Sequence, residues 1–382
     1  MSDDVAIVGL GIHPFGRHEG VSGLEMAAVA ARRALADAGL RWEEIDFAAG
    51  GSDAGGNADT SVSALGLTGL PFINVKNGCA TGGSALTTAH AMLTAGAAET
   101  ALVVGFDKHP PGAFNPLPEE WGIGSWYGET GLMLTTQFFA MKIQRYMAEH
   151  GISESTLAKV ASKAFENGSR NQNAWRRRPL SEEEVLASKP VNPPLRQFMF
   201  CSPGEGAVAL VLARGPRITE LARTPVYLRS VAFRTRRFGS FEVFSPSIPI
   251  ESAPSPTTEA AAAAFEQAGI GPEDVDVAQL QDTESGAEVM HLAETGLCKH
   301  GEQEALIQSG ATRINGHLPV NTDGGCLANG EPIGASGLRQ VHEVVLQLRG
   351  EAGDRQIPGP CRVGFTQVYG APGVSACTVL ST

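Results

Sequence analysis

The chain alternates short runs of β-branched and small apolar residues, too brief for helices, with longer Ala-rich stretches whose polar residues recur at helical spacing. The first run, Val5-Ala6-Ile7-Val8, predicts a strand. Leu24 to about Ala38 predicts a helix stopped by Gly39, and Trp42 to Ala48 predicts a short turn entering a second strand. This unit returns. Ala261 to Ala278 matches Ala31 to Ala48 without a gap, with the alanine helix, the glycine stop, an acidic pair, a β-branched residue and an aspartate all in register. A second echo pairs Gly82-Gly83-Ser84-Ala85-Leu86, which leads a helix ending near Gly96, with Gly334-Ala335-Ser336-Gly337-Leu338, which leads one ending near Gly350. Strand patterns follow at Thr100 to Gly105 and at Arg362 to Phe365.

Strands alternating with helices predict α/β layers, and duplication of a whole β-α-β-α-β-β unit is the simplest account of the echoes. The expected halves are residues 1–224 and 225–382, with the passage near Arg223-Thr224. The stretch from about Asp107 to Gln197, with its Pro- and Trp-containing loops and two helices, reads as an insertion in the first half. Its loops are expected to lie over the site rather than build the core. Gly9-Leu10-Gly11 after the first strand does not support dinucleotide binding, because Pro14 replaces the third glycine and no helix follows directly.

Composition narrows the classes. The chain has 382 residues, 42% hydrophobic and 18% charged, with net charge −12, and its longest basic run is Arg176-Arg177-Arg178. A nucleic-acid footprint is therefore absent; the arginines are expected on a solvated loop face, or at most at the phosphates of an anionic substrate. The start, Met1-Ser2-Asp3-Asp4, lacks the basic and apolar regions of a signal peptide, and no apolar stretch is long enough to span a bilayer, so the expected location is cytoplasmic. Six cysteines (79, 201, 298, 326, 361 and 377) form no C-x-x-C pair, and nine histidines form no H-E-x-x-H, which argues against a structural metal site and a disulfide framework.

Cys79 is the residue that carries chemistry. It lies in Asn77-Gly78-Cys79-Ala80-Thr81-Gly82-Gly83, among small residues just where a helix begins. The unpaired N–H groups and dipole of a helix start favour thiolate over thiol. The bland alternative is one more small buried residue.

Together with Cys201-Ser202-Pro203-Gly204-Glu205-Gly206 and Gly330-Glu331-Pro332-Ile333-Gly334, Cys79 and the duplication give a sequence that resembles the thiolase superfamily, nearest its sterol-carrier-protein-2-type, lipid-transfer branch. Gly105-Phe106-Asp107-Lys108 is similar to that branch's G-F-E-K, and Asn321-Thr322-Asp323-Gly324-Gly325 to its N-T-x-G-G. The likeness covers nearly the whole chain. It implies a five-layered αβαβα fold, usually a homodimer, acting on a coenzyme A thioester with no tightly bound cofactor or metal. Cys79 matches the acyl-accepting nucleophile.

The departures concern proton transfer. Glu331 stands where active thiolases carry the G-H-P histidine, and a buried carboxylate can serve as a base. The branch's H-D-C-F motif corresponds to Gln281, Asp282, Thr283 and the residue after; Thr283 has no proton to give near neutral pH, while Gln281 can hold a water or a carbonyl oxygen. The C-x-G cysteine site falls near Gln367 to Gly370, without a thiol, leaving Tyr369 as an alternative acid; a packed ring is the bland reading of that tyrosine. Cys377 reads as core. The resemblance thus implies Cys79, Glu331 and Tyr369 as catalytic, and Gln281, Asp282, Thr283, Gly334 and Gly370 as substrate-binding.

Three functions follow. The leading one is an acyl-CoA acyltransferase of lipid metabolism that makes or breaks a carbon–carbon bond through an acyl-Cys79 intermediate. The second is a retro-aldolase acting on a β-hydroxyacyl-CoA, with a small zinc-ribbon and OB-fold acyl-CoA-binding partner. The third is a non-catalytic acyl-CoA or lipid binder.

Overall fold

A computed structural model of the chain describes residues 4–112, 114–221, 224–242 and 253–382. Met1-Ser2-Asp3 and Arg223, where the expected passage between halves begins, lie outside the described residues. Strand β1 (Val5–Gly16) leads to helix α1 (Gly23–Ala38). Ser22 and Glu25 start α1 as a capping box, each side chain accepting from the other's backbone N–H, and Gly39 ends it at φ 69°. Gly9 and Gly11 let α1 settle on β1, since a Cβ there would come within 2.2 and 2.0 Å of the Ala34 and Ala30 carbonyl oxygens. Those glycines therefore serve helix–strand contact, not a phosphate.

The remaining main strands are β2 (Phe47–Gly51), β3 (Phe72–Asn74), β4 (Thr100–Lys108), β5 (Glu205–Arg214), β6 (Val226–Thr235), β7 (Val277–Leu280), β8 (Val363–Gly370) and β9 (Val374–Ser381). Their order is β3-β2-β4-β5-β1-β6-β9-β8-β7, so the second half repeats the first in mirror order about the β1–β6 pairing, Ala6 opposite Tyr227 and Ile7 opposite Val226. The duplication holds bond by bond. Ala48 and Ala278 each donate to the carbonyl of a proline, Pro71 and Pro319, at 3.0 and 2.9 Å. Asp46 accepts from the N–H groups of Glu99 and Thr100, and Asp276 from those of Arg362 and Val363. A lone bridge between Ala278 and Val320 stands where the second half would need a third strand.

Alternation of side chains along the strands sets the layers. Ala6, Val8, Leu102, Val104 and Val211 face α1, while Ile7, Val103, Leu210 and Leu212 face two central helices, α2 (Thr81–Thr94) and α8 (Ser336–Arg349). The second half adds Leu228 and Leu380 to that central layer. Its other face, with Leu280, Phe365 and Val379, is covered by α5 (Pro256–Ala268) and α6 (Ser285–Glu294). This is the five-layered αβαβα arrangement.

The insertion departs from expectation. Helices α3 (Thr135–His150) and α4 (Glu154–Ser169) follow its loops, and α4 is among the most buried helices, sharing one core with α5 and α6 through Leu157, Val160, Ala161, Ala164 and Phe165. Only its first part, with Tyr127, Met133 and Phe138, behaves as a cover, packing on Tyr369 and Ala371. The apolar face of α4 at helical spacing carried this signal, masked by the Pro- and Trp-rich loops before it.

The halves meet through glycine. A Cβ on Gly105 would fall 2.0 Å from the Gly334 carbonyl oxygen, whereas one on Gly39 would meet nothing within 4 Å. Gly105→Ala is expected to lower unfolding free energy by about 1–3 kcal/mol through overpacking. Gly39→Ala should lose about 1 kcal/mol through backbone strain alone. Urea denaturation of both variants checks this; a smaller loss at Gly105 than at Gly39 contradicts the close-approach account.

Candidate active site

Cys79 sits in the tight loop Asn77–Ala80 that enters α2. Thr81 holds the loop, its hydroxyl donating to the Gly78 carbonyl at 2.7 Å and accepting from the Asn77 N–H at 2.9 Å, while Asn77 Nδ2 donates to Ser84 Oγ at 2.8 Å. The second half braces this loop from the other side. A Cβ on Gly370 would lie 2.4 Å from the Asn77 carbonyl oxygen and 2.6 Å from the Ala80 nitrogen, and one on Gly78 would lie 2.7 Å from the Ala371 carbonyl oxygen. Gly370 thus stands beside Cys79, where no side chain fits.

Glu331 is fully buried and its backbone is clamped on both sides, its N–H donating to Ser202 at 2.8 Å and its carbonyl accepting from Gly204 at 3.1 Å. Its carboxylate is a meeting point. Gln281 Nε2 donates to both oxygens, at 2.8 and 3.0 Å, the Cys201 thiol donates to Oε2 across 3.9 Å, and the Cys79 thiol lies near enough to the same carboxylate to be held protonated by it. Gln281 is itself fixed, its N–H donating to Gln367 Oε1 at 3.1 Å and its Oε1 accepting from Gln340 Nε2 at 3.5 Å. The structure therefore brings together Cys79, Glu331 and Gln281 from opposite halves of the chain.

One expectation is reversed. Cys79 keeps part of its surface exposed, yet the protein crowding its sulfur, followed by the Glu331 charge and hydrogen bond, pushes its thiol well above the usual range. The helix start does not win. Cys201 is pushed up in the same way, by burial, then by Glu331 and Asp282, with Arg176 pulling against them. At rest both thiols are protonated beside one carboxylate.

The other predicted residues divide. Tyr369 is half-buried and donates to Glu242 Oε2 at 2.5 Å, with the Lys142 ammonium 5.6 Å from its ring centre, at the edge of the apolar cover. Asp282 does not face the site. Its carboxylate accepts from the N–H groups of Cys326 and Leu327, at 2.6 and 3.3 Å, at the start of the short helix α7 (Gly325–Asn329). Burial raises its pKa well above the usual carboxylate range despite Arg339 and those donors. Thr283 acts through its backbone, accepting from the Cys201 N–H at 2.9 Å. Gly334 donates its N–H to Asp107 at 2.7 Å and packs against the ends of β2 and β4, so it organises the crossing of halves.

Two residues escaped the sequence reading. Arg177 and Arg178 are exposed as expected, but Arg176 turns inward, donating to the Leu327 carbonyl at 2.9 Å and to the Ser202 hydroxyl. Cys201 was visible only as part of a motif, and nothing in its spacing placed it beside Glu331. It gets there because residues 202 to 204 run alongside Glu331 as a parallel bridge.

Comparison with known proteins gives this geometry its family. The chain matches the family models "Thiolase, N-terminal domain" over residues 5–178 and "Thiolase C-terminal domain-like" over residues 250–382. It is 32% identical to the acetyl-CoA acetyltransferase of Methanothermobacter thermautotrophicus over 98% of both chains. It is 31% identical to sterol carrier protein 2 of Oryctolagus cuniculus over 98% of this chain and 71% of that one. Among solved structures, the Ltp2-ChsH2(DUF35) aldolase superposes with a TM-score of 0.88 at 24% identity, covering 100% of this chain and 98% of that one. The fold and the paired halves define a thiolase-type enzyme of the acyltransferase class. The chain belongs to the thiolase family, on its sterol-carrier-protein-2-type branch, and its chemistry is that of acyl-CoA. Among the described residues no helix is long and apolar enough to cross a membrane.

The raised Cys79 thiol gives a test with a counter-intuitive sign. Removing the Glu331 charge lowers the thiol pKa and increases the thiolate present at pH 7. Glu331→Gln is therefore expected to let iodoacetamide alkylate Cys79 faster than in the parent protein, with the alkylation curve displaced to lower pH. Slower alkylation in the variant at every pH would contradict the electrostatic account.

Proposed function

We propose that this protein cleaves or forms a carbon–carbon bond next to a CoA thioester through an acyl-Cys79 intermediate, with Glu331 as the base. The observation that carries this reading is the convergence of the Cys79 thiol and the Gln281 amide on the buried Glu331 carboxylate. In the cleavage direction the Cys79 proton passes to Glu331 as sulfur bonds to the ketone carbon of a 3-oxoacyl-CoA. Collapse of the tetrahedral intermediate breaks the bond between C2 and C3, leaving acyl-Cys79 and the enolate of the shorter CoA thioester, which takes up a proton at carbon. The thiol of a second CoA then gives its proton to the site, attacks acyl-Cys79 and returns the Cys79 thiol. Gln281 orients the Glu331 carboxylate and supplies no proton.

A second reading, retro-aldol cleavage of a β-hydroxyacyl-CoA, is favoured by one observation, the hydrogen bond of Tyr369 to the buried Glu242 beside the apolar cover. That pair could take the hydroxyl proton without an acyl-enzyme. The two-component name of the Ltp2-ChsH2 aldolase supports extending the proposal to a small acyl-CoA-binding partner. We also propose a homodimer, because β3 ends the sheet as an open edge with Ile73 exposed. Size exclusion should give about twice the 39.9 kDa chain mass; elution as a monomer at micromolar concentration removes that part.

Incubation with acyl-CoA thioesters of several chain lengths, followed by intact-mass and peptide analysis, should show an acyl group on Cys79. Glu331→Gln should reduce turnover by about 10²–10⁴-fold, the usual contribution of a positioned base. Failure to acylate Cys79 with any chain length, together with turnover retained in Cys79→Ala, replaces the acyl-enzyme reading with the retro-aldol one.

A further inference from the structure

The proposed reaction needs a second proton-transfer group, because the enolate released by cleavage must be protonated at carbon while Glu331 is still engaged with the nucleophile. In the two segments where the sequence invites a search, Thr283 acts through its backbone and the Tyr369 hydroxyl donates to Glu242 rather than to Glu331. A third segment supplies one.

Cys201 lies in the turn before β5, and its thiol donates to Glu331 Oε2 across 3.9 Å. Its position is determined by the backbone on both sides. The Cys201 N–H donates to the Thr283 carbonyl at 2.9 Å, and the next residue, Ser202, accepts the Glu331 N–H at 2.8 Å. Cys201 therefore cannot move relative to the carboxylate without breaking the clamp that holds Glu331. The two thiols approach one carboxylate and have different neighbours. Arg176 is anchored on the Leu327 carbonyl and the Ser202 hydroxyl, and its charge acts on Cys201 against those of Asp282 and Glu284, whereas Cys79 has Asp53 as its remaining charged neighbour.

We infer that Cys201 is the second proton-transfer residue of the site, delivering a proton to the enolate carbon in cleavage and removing it in condensation. This rests on the acyl-Cys79 reading. Cys79 gives its proton to Glu331 and becomes acylated. The Cys201 S–H bond breaks as its proton forms the C–H bond of the departing CoA thioester, leaving a thiolate beside Arg176. The protonated Glu331 then returns its proton to Cys201, restoring one carboxylate and one thiol. No oxidant or further reactant is required, and the net charge of the group never exceeds one negative unit.

The test separates the two half-reactions. The protein is incubated in D2O with acetyl-, propionyl- and octanoyl-CoA, following acylation of Cys79 by mass and deuterium uptake at the α-carbon of the thioester by NMR. The parent protein should show both. Cys201→Ser and Cys201→Ala should acylate Cys79 at a rate within a few-fold of the parent, which also reports an intact site, and should lose α-carbon exchange by about 10²-fold or more. Exchange within tenfold of the parent in both variants, with Cys79 still acylated, overturns this inference and leaves the acyl-enzyme reading standing. No acylation of the parent by any of the three thioesters overturns both.

Discussion

The site depends on a carboxylate buried between two halves of a duplicated fold. Glu331 is fully buried, and a charge in that position is costly unless it is hydrogen-bonded. Gln281 offers its amide N–H to both oxygens, and two thiols lie beside them. Every donor is neutral. That choice dictates the resting protonation, because a negative carboxylate opposes the formation of a thiolate next to it, and burial acts in the same direction on both cysteines.

The scaffold holds these groups from distant segments together, and it does so with backbone. Residues 202 to 204 pair alongside Glu331, Gly370 presses on the Cys79 loop, and Gly105 admits Gly334 at a distance no side chain would permit. Each contact joins one half of the duplicated chain to the other. Small residues at these crossings are therefore part of the site's geometry although none carries chemistry. The acidic side chains nearby divide the labour: Asp282 ties down the start of α7, and Asp107 gathers the N–H groups of Asp53, Ala54 and Gly334.

Much of this was legible in the chain. The register of Ala31 to Ala48 against Ala261 to Ala278 predicted paired halves because the same turn chemistry recurs: a left-handed glycine ends the helix, and an aspartate takes the N–H groups at the start of a neighbouring strand. Motif alone singled out Cys79 and Glu331. Their mutual effect was not, since the pattern that marks a helix start says nothing of a carboxylate arriving from more than two hundred residues away. Cys201 and Arg176 were hidden for the same reason, each beside sequence features with a bland surface explanation. The burial of α4 was hidden differently, because its apolar face followed loops that drew attention to themselves.

A carboxylate and an imidazole give a nucleophilic cysteine different starting points. A thiol beside a neutral imidazole can pass its proton over and leave an attractive pair of opposite charges, so the thiolate is stabilised before substrate arrives. A thiol beside a carboxylate exchanges one negative site for another, and no ion pair results. Around this carboxylate the two sulfurs have different charged neighbours, Asp53 at Cys79 and Asp282, Arg176 and Glu284 at Cys201. On the proposed mechanism, activation comes with substrate, when the developing oxyanion takes the charge that leaves sulfur. The protonated resting state of Cys79 is the physical consequence of burial and of the Glu331 carboxylate beside it, and it makes the free thiol less reactive to electrophiles.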